Sequence, residues 1–306
     1  MQKIQLAVTL AVASLLLPIV TDAAPSEPRH AVVERIAAPD GGYDYLSIDS
    51  ARQRLFVGRE SGVMAVDLAT KKVTAKLLEA DDVAAVLIIP GTDLMLATAS
   101  DADKAILFNR MTGAVQARIA TGKAPDAAFH EPKSGLAFVM NADSNDATVI
   151  DLKAAKAVAT IPMGGKPEAA TGDGRGFVYI NIEDTAEIAV VEVASRKVVR
   201  RLKLAGCVEP TGIAYDAVTD TLISACHNNV AKLTHARTGA DRGSVKVGKD
   251  ADGAIFDAQS RFAYIPCNDG TLTLFQLDAH GLPLHGIQRL RTIEDNHGVQ
   301  GNQALV

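Results

Sequence analysis

Tryptophan is absent from this chain, and aromatic residues together make up only 4% of its 306 residues. So few flat side chains argue against a face that stacks sugars or bases. Positive charge is not in excess either. Against 36 acidic side chains stand 31 basic ones, and a net charge of −5 offers no field to draw nucleic acid or an anionic membrane. The C-x-x-C-H haem attachment, the G-x-S-x-G elbow, the H-E-x-x-H helix and the phosphate loop are all missing. The glycine-rich stretch at 164–176 lacks the G-K-[ST] ending, opens no helix and reads as an inter-strand turn. Beyond the first twenty residues no apolar run approaches membrane-spanning length.

What is present begins with an export signal. Lys3 precedes an apolar run over 4–20, and small residues follow at Ala23 and Ala24, which predicts a signal peptide over 1–23 and a periplasmic or secreted protein with no remaining membrane span. Next comes a repeat. Residues 125–162 read as four short strands separated by Gly, Pro, Asn and Asp, each too short for a helix. An acidic residue marks the first turn of such units at Asp49, Glu131, Asp173, Asp216 and Asp257, at intervals of 82, 42, 43 and 41 residues, the first interval spanning two units. A period near 40 with four strands per unit predicts an all-β propeller of four-stranded blades.

Six blades are recognisable within a domain over 30–290. Residues 30–37 look like an additional strand that would complete a further blade or add to a sheet edge. The tail, 291–306, has neither alternation nor turn logic, so the expectation is a seventh blade cut short.

The units resemble the YVTN-type β-propeller repeat, with a PDAAF-like inner strand, a second strand ending in aromatic-V, a V-x-V-I-D third strand and a K-V-x-x-T-I fourth. EPTG (209–212), CHN (226–228), NIEDTAEI (181–188) and CNDGTLT (267–273) are similar to exported bacterial members. The resemblance implies a seven-bladed fold and leaves the activity open, since related propellers include lactonases and haem-binding domains. The tail departs from that pattern.

Three sets of residues carry candidate chemistry. Carboxylates recur five residues before the turn acid, at Asp44, Asp126, Glu168 and Asp252, with Thr211 in that place in the fifth unit and Glu209 two residues earlier. They begin the innermost strands and are expected to gather at one mouth of the channel. There they raise one another's pKa or recruit a divalent cation, held by Asp126, Glu168 and Asp252. The structural alternative has each acid accepting backbone N–H bonds from the next blade. Cys207 and Cys226 flank the first hairpin of the fifth unit, and export favours a disulfide between them over a thiolate–imidazole metal site with His227, or over a Cys226–Cys267 pair. His227 is the histidine with a candidate ligand role; His235 reads as a turn cap, and His130, His280 and His285 as surface residues.

The expected function is a non-enzymatic binding module, monomeric, with no resident cofactor unless a divalent cation, engaging a protein or small molecule through Asp44, Asp126, Glu168, Glu209, His227 and Asp252. A metal-dependent lactonase-like hydrolase on the same carboxylates is the first alternative. Single-stranded nucleic-acid binding, disfavoured by charge, is the second.

Overall fold

The computed structural model describes residues 30–284 and 286–292. Residues 1–29, which include the expected signal peptide, His285 and the tail from 293 onward lie outside them. Every element among the described residues is a strand, and the 24 strands form six antiparallel sheets of four, each in chain order.

Blade 1 comprises Tyr43–Asp49, Arg54–Arg59, Gly62–Asp67 and Val73–Glu79. Blade 2 comprises Val83–Ile88, Leu94–Ala99, Lys104–Asn109 and Val115–Ala120. Blade 3 comprises Pro125–Glu131, Leu136–Asn141, Asp146–Asp151 and Lys156–Pro162, and blade 4 Pro167–Gly172, Phe177–Ile182, Glu187–Glu192 and Lys197–Lys203. Blade 5 comprises Pro210–Asp216, Thr221–Cys226, Val230–His235 and Asp241–Lys246. Blade 6 comprises Ile255–Asp257, Phe262–Cys267, Thr271–Gln276 and Gln288–Arg291. The chain is a six-bladed β-propeller. The stretch 164–176, expected to be all turn, contains the innermost strand of blade 4: Pro167 pairs with Ile182 and Gly172 with Val178.

The first strand of each sheet lines a central cavity of about 250 Å³, to which every blade contributes, among its residues Tyr45, Val86, Ala127, Ala170, Ile213 and Ile255. The second and third strands of blades 2 to 5 are buried on both faces, because each of these blades is sandwiched between two others. In Leu136–Asn141, Phe138 and Met140 pack toward blade 4 while Ala137 and Val139 pack toward blade 2. That is why these strands read as continuous apolar runs rather than alternating ones. The fourth strands are largely exposed and carry Lys and Arg, as suits an edge that must not pair with another chain.

Five apolar clusters each bridge two consecutive blades, from blade 1 with 2 through blade 5 with 6. Polar ties run beside them at the inner strands. Thr98 Oγ1 donates to the Asp126 carbonyl at 2.7 Å, and Asn181 Nδ2 donates to the Thr211 carbonyl at 2.9 Å. Gly212 lies where blade 6 passes so closely that a Cβ would sit 2.4 Å from the Ala254 nitrogen. The facing sides of blades 6 and 1 differ, carrying two separate smaller clusters.

The expectation of a strand at 30–37 is corrected: residues 30–42 carry none. Blade 6 already has its outer strand, Gln288–Arg291, so no place remains there for another. Instead Ile36 packs on the apolar side of blade 1 with Leu55, Val57, Met64 and Val66. Glu34 pairs with Lys71 at 2.8 Å, and Arg35 donates to the Thr292 carbonyl at 3.4 Å.

Candidate functional site at the channel mouth

Asp44, Asp126 and Glu168 are the second residues of their innermost strands, and Asp252 lies three residues ahead of Ile255. Strand register therefore delivers all four to the same end of the channel. Their mutual electrostatics show that they meet. Burial first, then the charges of Asp44 and Asp252, push the Asp126 carboxyl well above its ordinary value. Burial and Asp126 do the same to Glu168, against the pull of Lys166. Asp252 is raised to about 6 by burial, with Asp44 adding to the effect and His227 opposing it. Tyr45, half-buried among these acids, has its phenol raised by burial and then by Asp126, Glu168, Asp44 and Asp252.

The alternative in which these side chains serve as backbone acceptors is not what the structure shows for Asp126, Glu168 and Asp252. Among the described residues no backbone N–H donates to the carboxylates of Asp126, Glu168 or Asp252. The inter-blade bonds at these positions use the main chain, as where the Gly212 N–H donates to the Asp252 carbonyl at 2.9 Å. Thr211 does make the structural bond, donating its hydroxyl to the Ala251 carbonyl at 3.0 Å.

A second arc adjoins the first. Glu183 and His227 occupy equivalent places, each following the last residue of the second strand of its blade. Glu209 precedes Pro210 with a left-handed φ of 48°. One ligand atom from each of Glu183, Glu209 and His227 lies within 4.8 Å of the other two, and His227 Nδ1 is 3.0 Å from Glu209 Oε2. Lys166 links the arcs, with Nζ 3.2 Å from Glu168 Oε1 and paired with Glu183. Burial works against its charge, but the bonds to Glu183 and Glu168 prevail and raise it. Burial likewise opposes the Glu183 carboxylate, but Lys166 and Glu168 hold it below its usual range, while Glu168 is raised.

Cys207 and Cys226 form a disulfide with a Cα–Cα distance of 5.5 Å. It fastens the loop that carries Glu209 to the strand that ends beside His227. The His227 N–H donates to the Val208 carbonyl at 3.0 Å, and Asn228 Nδ2 to the Gly206 carbonyl at 2.9 Å. With both sulfurs committed, the thiolate–imidazole metal site is excluded. The Cys226–Cys267 pairing is not formed: Cys267 is free and buried, and burial pushes its thiol up to about 11. His235 accepts the Arg237 N–H at 3.2 Å, capping a turn.

Glu183, Lys166 and Tyr45 escaped the sequence reading. Glu183 could have been found by aligning the second-strand ends of blades 4 and 5, which sets it level with His227. Lys166 was hidden in a stretch read as turn. Tyr45 sits next to Asp44 with no pattern to mark it.

No family model matches this chain, and no curated protein matches it. Among solved structures it is similar to Kuenenia stuttgartiensis hydrazine synthase, at 15% identity and a TM-score of 0.70, over 81% of this chain and 80% of that one. At that identity the likeness establishes the β-propeller fold alone.

Proposed function

We propose that this chain is an exported binding module of the YVTN repeat type that takes a cation, or the cationic group of a larger ligand, at the channel mouth. The observation that carries the reading is the convergence of Asp126, Glu168 and Asp252 with little internal compensation: among the described residues Lys166 pairs with Glu168 and is shared with Glu183, and His227 acts on Asp252 from the second arc. Carboxylates crowded in a partly desolvated funnel repel one another, and a bound cation relieves that repulsion.

Thermal melts in EDTA and then in Ca²⁺, Mg²⁺, Mn²⁺ or Zn²⁺ test this, since a ligand that binds the native state adds stability by linkage. The expected result is a rise of several degrees with one cation, lost in the Asp126→Asn/Glu168→Gln double variant. Indifference to every cation, and to a polyamine as an organic probe, would sink the proposal.

A second reading, a metal-dependent hydrolase, is favoured by the Glu183–Glu209–His227 cluster alone. Two carboxylates and an imidazole suit a borderline ion such as Zn²⁺ or Mn²⁺ better than Ca²⁺. A metal bound there would act as a Lewis acid on a carbonyl. Lactone hydrolysis that needs the stabilising cation and disappears in Glu183→Gln is the outcome this reading requires.

A further inference from the structure

Away from the channel, a cleft of about 450 Å³ opens between the outer parts of blades 1 and 2, where blade 2 departs from the repeat. The second strands of the six blades end on Arg59, Ala99, Asn141, Ile182, Cys226 and Cys267. Blade 2 has the smallest of these, and Ala99 forms part of the cleft with Ala80 and Ala102.

The charges around it also break the repeat. In blade 4 the third strand begins with Glu187, and Arg201 stands on the fourth strand opposite the third strand's third residue, Ala189. These two side chains form an ion pair at 3.5 Å, and Arg201 also donates to the Met163 carbonyl just beyond the outer strand of blade 3. Arg289 in blade 6 has the same register position and donates to the Lys246 and Val247 carbonyls at 3.2 and 3.4 Å. In blade 2 the corresponding residues are Lys104 and Arg118, with Arg118 opposite Ile106. The anionic partner has been replaced by a second cation, so both flank the cleft with like charge. Among the described residues neither has an acidic partner within ion-pair range, and Arg118 does not make the bond to the Ala80 carbonyl that its counterparts would predict. Lys76 faces them from blade 1, 3.6 Å from Glu79, and Asp81 completes the charged rim.

We propose that this cleft binds a small oxyanion, such as phosphate or the phosphate group of an ester. The anion would supply the negative charge that Glu187 supplies in blade 4. Arg118 offers a planar fork of donors and Lys104 and Lys76 two mobile ammonium groups, a set that matches a tetrahedral oxyanion. Glu79 and Asp81 on the same rim leave the cleft with a single net positive charge, which fits weak and readily reversible capture.

The test compares inorganic phosphate with chloride at matched ionic strength, by thermal melt and by calorimetric titration, on the wild type, Lys104→Glu and Arg118→Gln. Lys104→Glu rebuilds the ion pair of blade 4, so its melting temperature without phosphate should equal or exceed that of the wild type. Phosphate at about 20 mM is expected to raise the wild-type melting temperature by about 2 °C with a saturable heat, and to do neither in the two variants. An equal rise in all three proteins is general salt exclusion and overturns the proposal, as does the absence of saturable heat in the wild type.

Discussion

In four of the blades two carboxylates lie five residues apart, at or beside the two ends of the innermost strand, and their fates are opposite. At the turn end, Asp49, Glu131, Asp173, Asp216 and Asp257 each accept bonds from the turn that follows: the Ser134 N–H reaches Glu131 at 2.7 Å and the Val218 N–H reaches Asp216 at 3.0 Å. Some also hold a neighbouring blade, Asp49 through Arg110 at 3.4 Å and Asp216 through Arg261 at 2.7 Å. At the mouth end, Asp126, Glu168 and Asp252 face one another. Burial works to raise both sets, yet Asp216 and Glu131 end below their usual range because their bonds outweigh it, while the mouth acids end above theirs. One repeat thus carries an acid that builds the fold and an acid that the fold must tolerate. Groups held at a cost to stability are where function is to be sought.

The largest test of that contrast is to make the same chemical change at both ends. Asp216→Asn removes the partner of a partly buried Arg261 and should cost about 3–4 kcal/mol, seen as a fall in denaturation midpoint at unchanged slope. Removing the disulfide with Cys207→Ser/Cys226→Ser should cost roughly 3 kcal/mol by loop-closure entropy, and it should weaken cation binding through Glu209 and His227 more than through Asp126. Asp126→Asn goes the other way. Without ligand at pH 8 it should stabilise by about 1–2 kcal/mol, because it deletes a carboxylate that resists ionisation where it sits. A loss of stability in that variant would mean that the mouth acids are structural after all.

The pH dependence separates the sets by sign. The lowered acids, Glu131 and Asp216, bind fewer protons native than unfolded, so their contribution is full above the ordinary carboxylate value and is lost as pH falls. The raised acids do the reverse. Native Asp252 keeps its proton up to about 6, whereas the unfolded chain releases it near 3.8, so stability declines as pH climbs through that window, and Asp126 and Glu168 extend the decline upward. A thermal-melt profile should therefore peak at about pH 4, where the gain from the lowered acids ends and the loss from the raised ones begins, with Asp126→Asn flattening only its alkaline side.

Much of this was legible in the sequence because a repeat reads itself out. The interval between turn acids located the blades, and the five-residue offset located Asp44, Asp126, Glu168 and Asp252 before any coordinates. Residues outside the periodic pattern were harder. Lys166 lies in a connection whose length varies from blade to blade, so no offset points to it, and Glu183 shows only once the second-strand ends of blades 4 and 5 are set level. Residues 30–37 have the composition of a strand, but a strand also needs a free edge, and blade 6 closes its own. The like-charged pair Lys104 and Arg118 was visible as residues, but only the register of blade 4 shows that an acid belongs at the first of those positions.

The most direct measurement is a side-chain carboxyl titration by ¹³C NMR, following Asp126, Glu168 and Asp252 beside Glu131 and Asp216 in the cation-free protein. The account predicts that the first three titrate above the ordinary carboxylate range and the last two below it, with the first three moving down when the stabilising cation is added. Both sets titrating together in the ordinary range would contradict it.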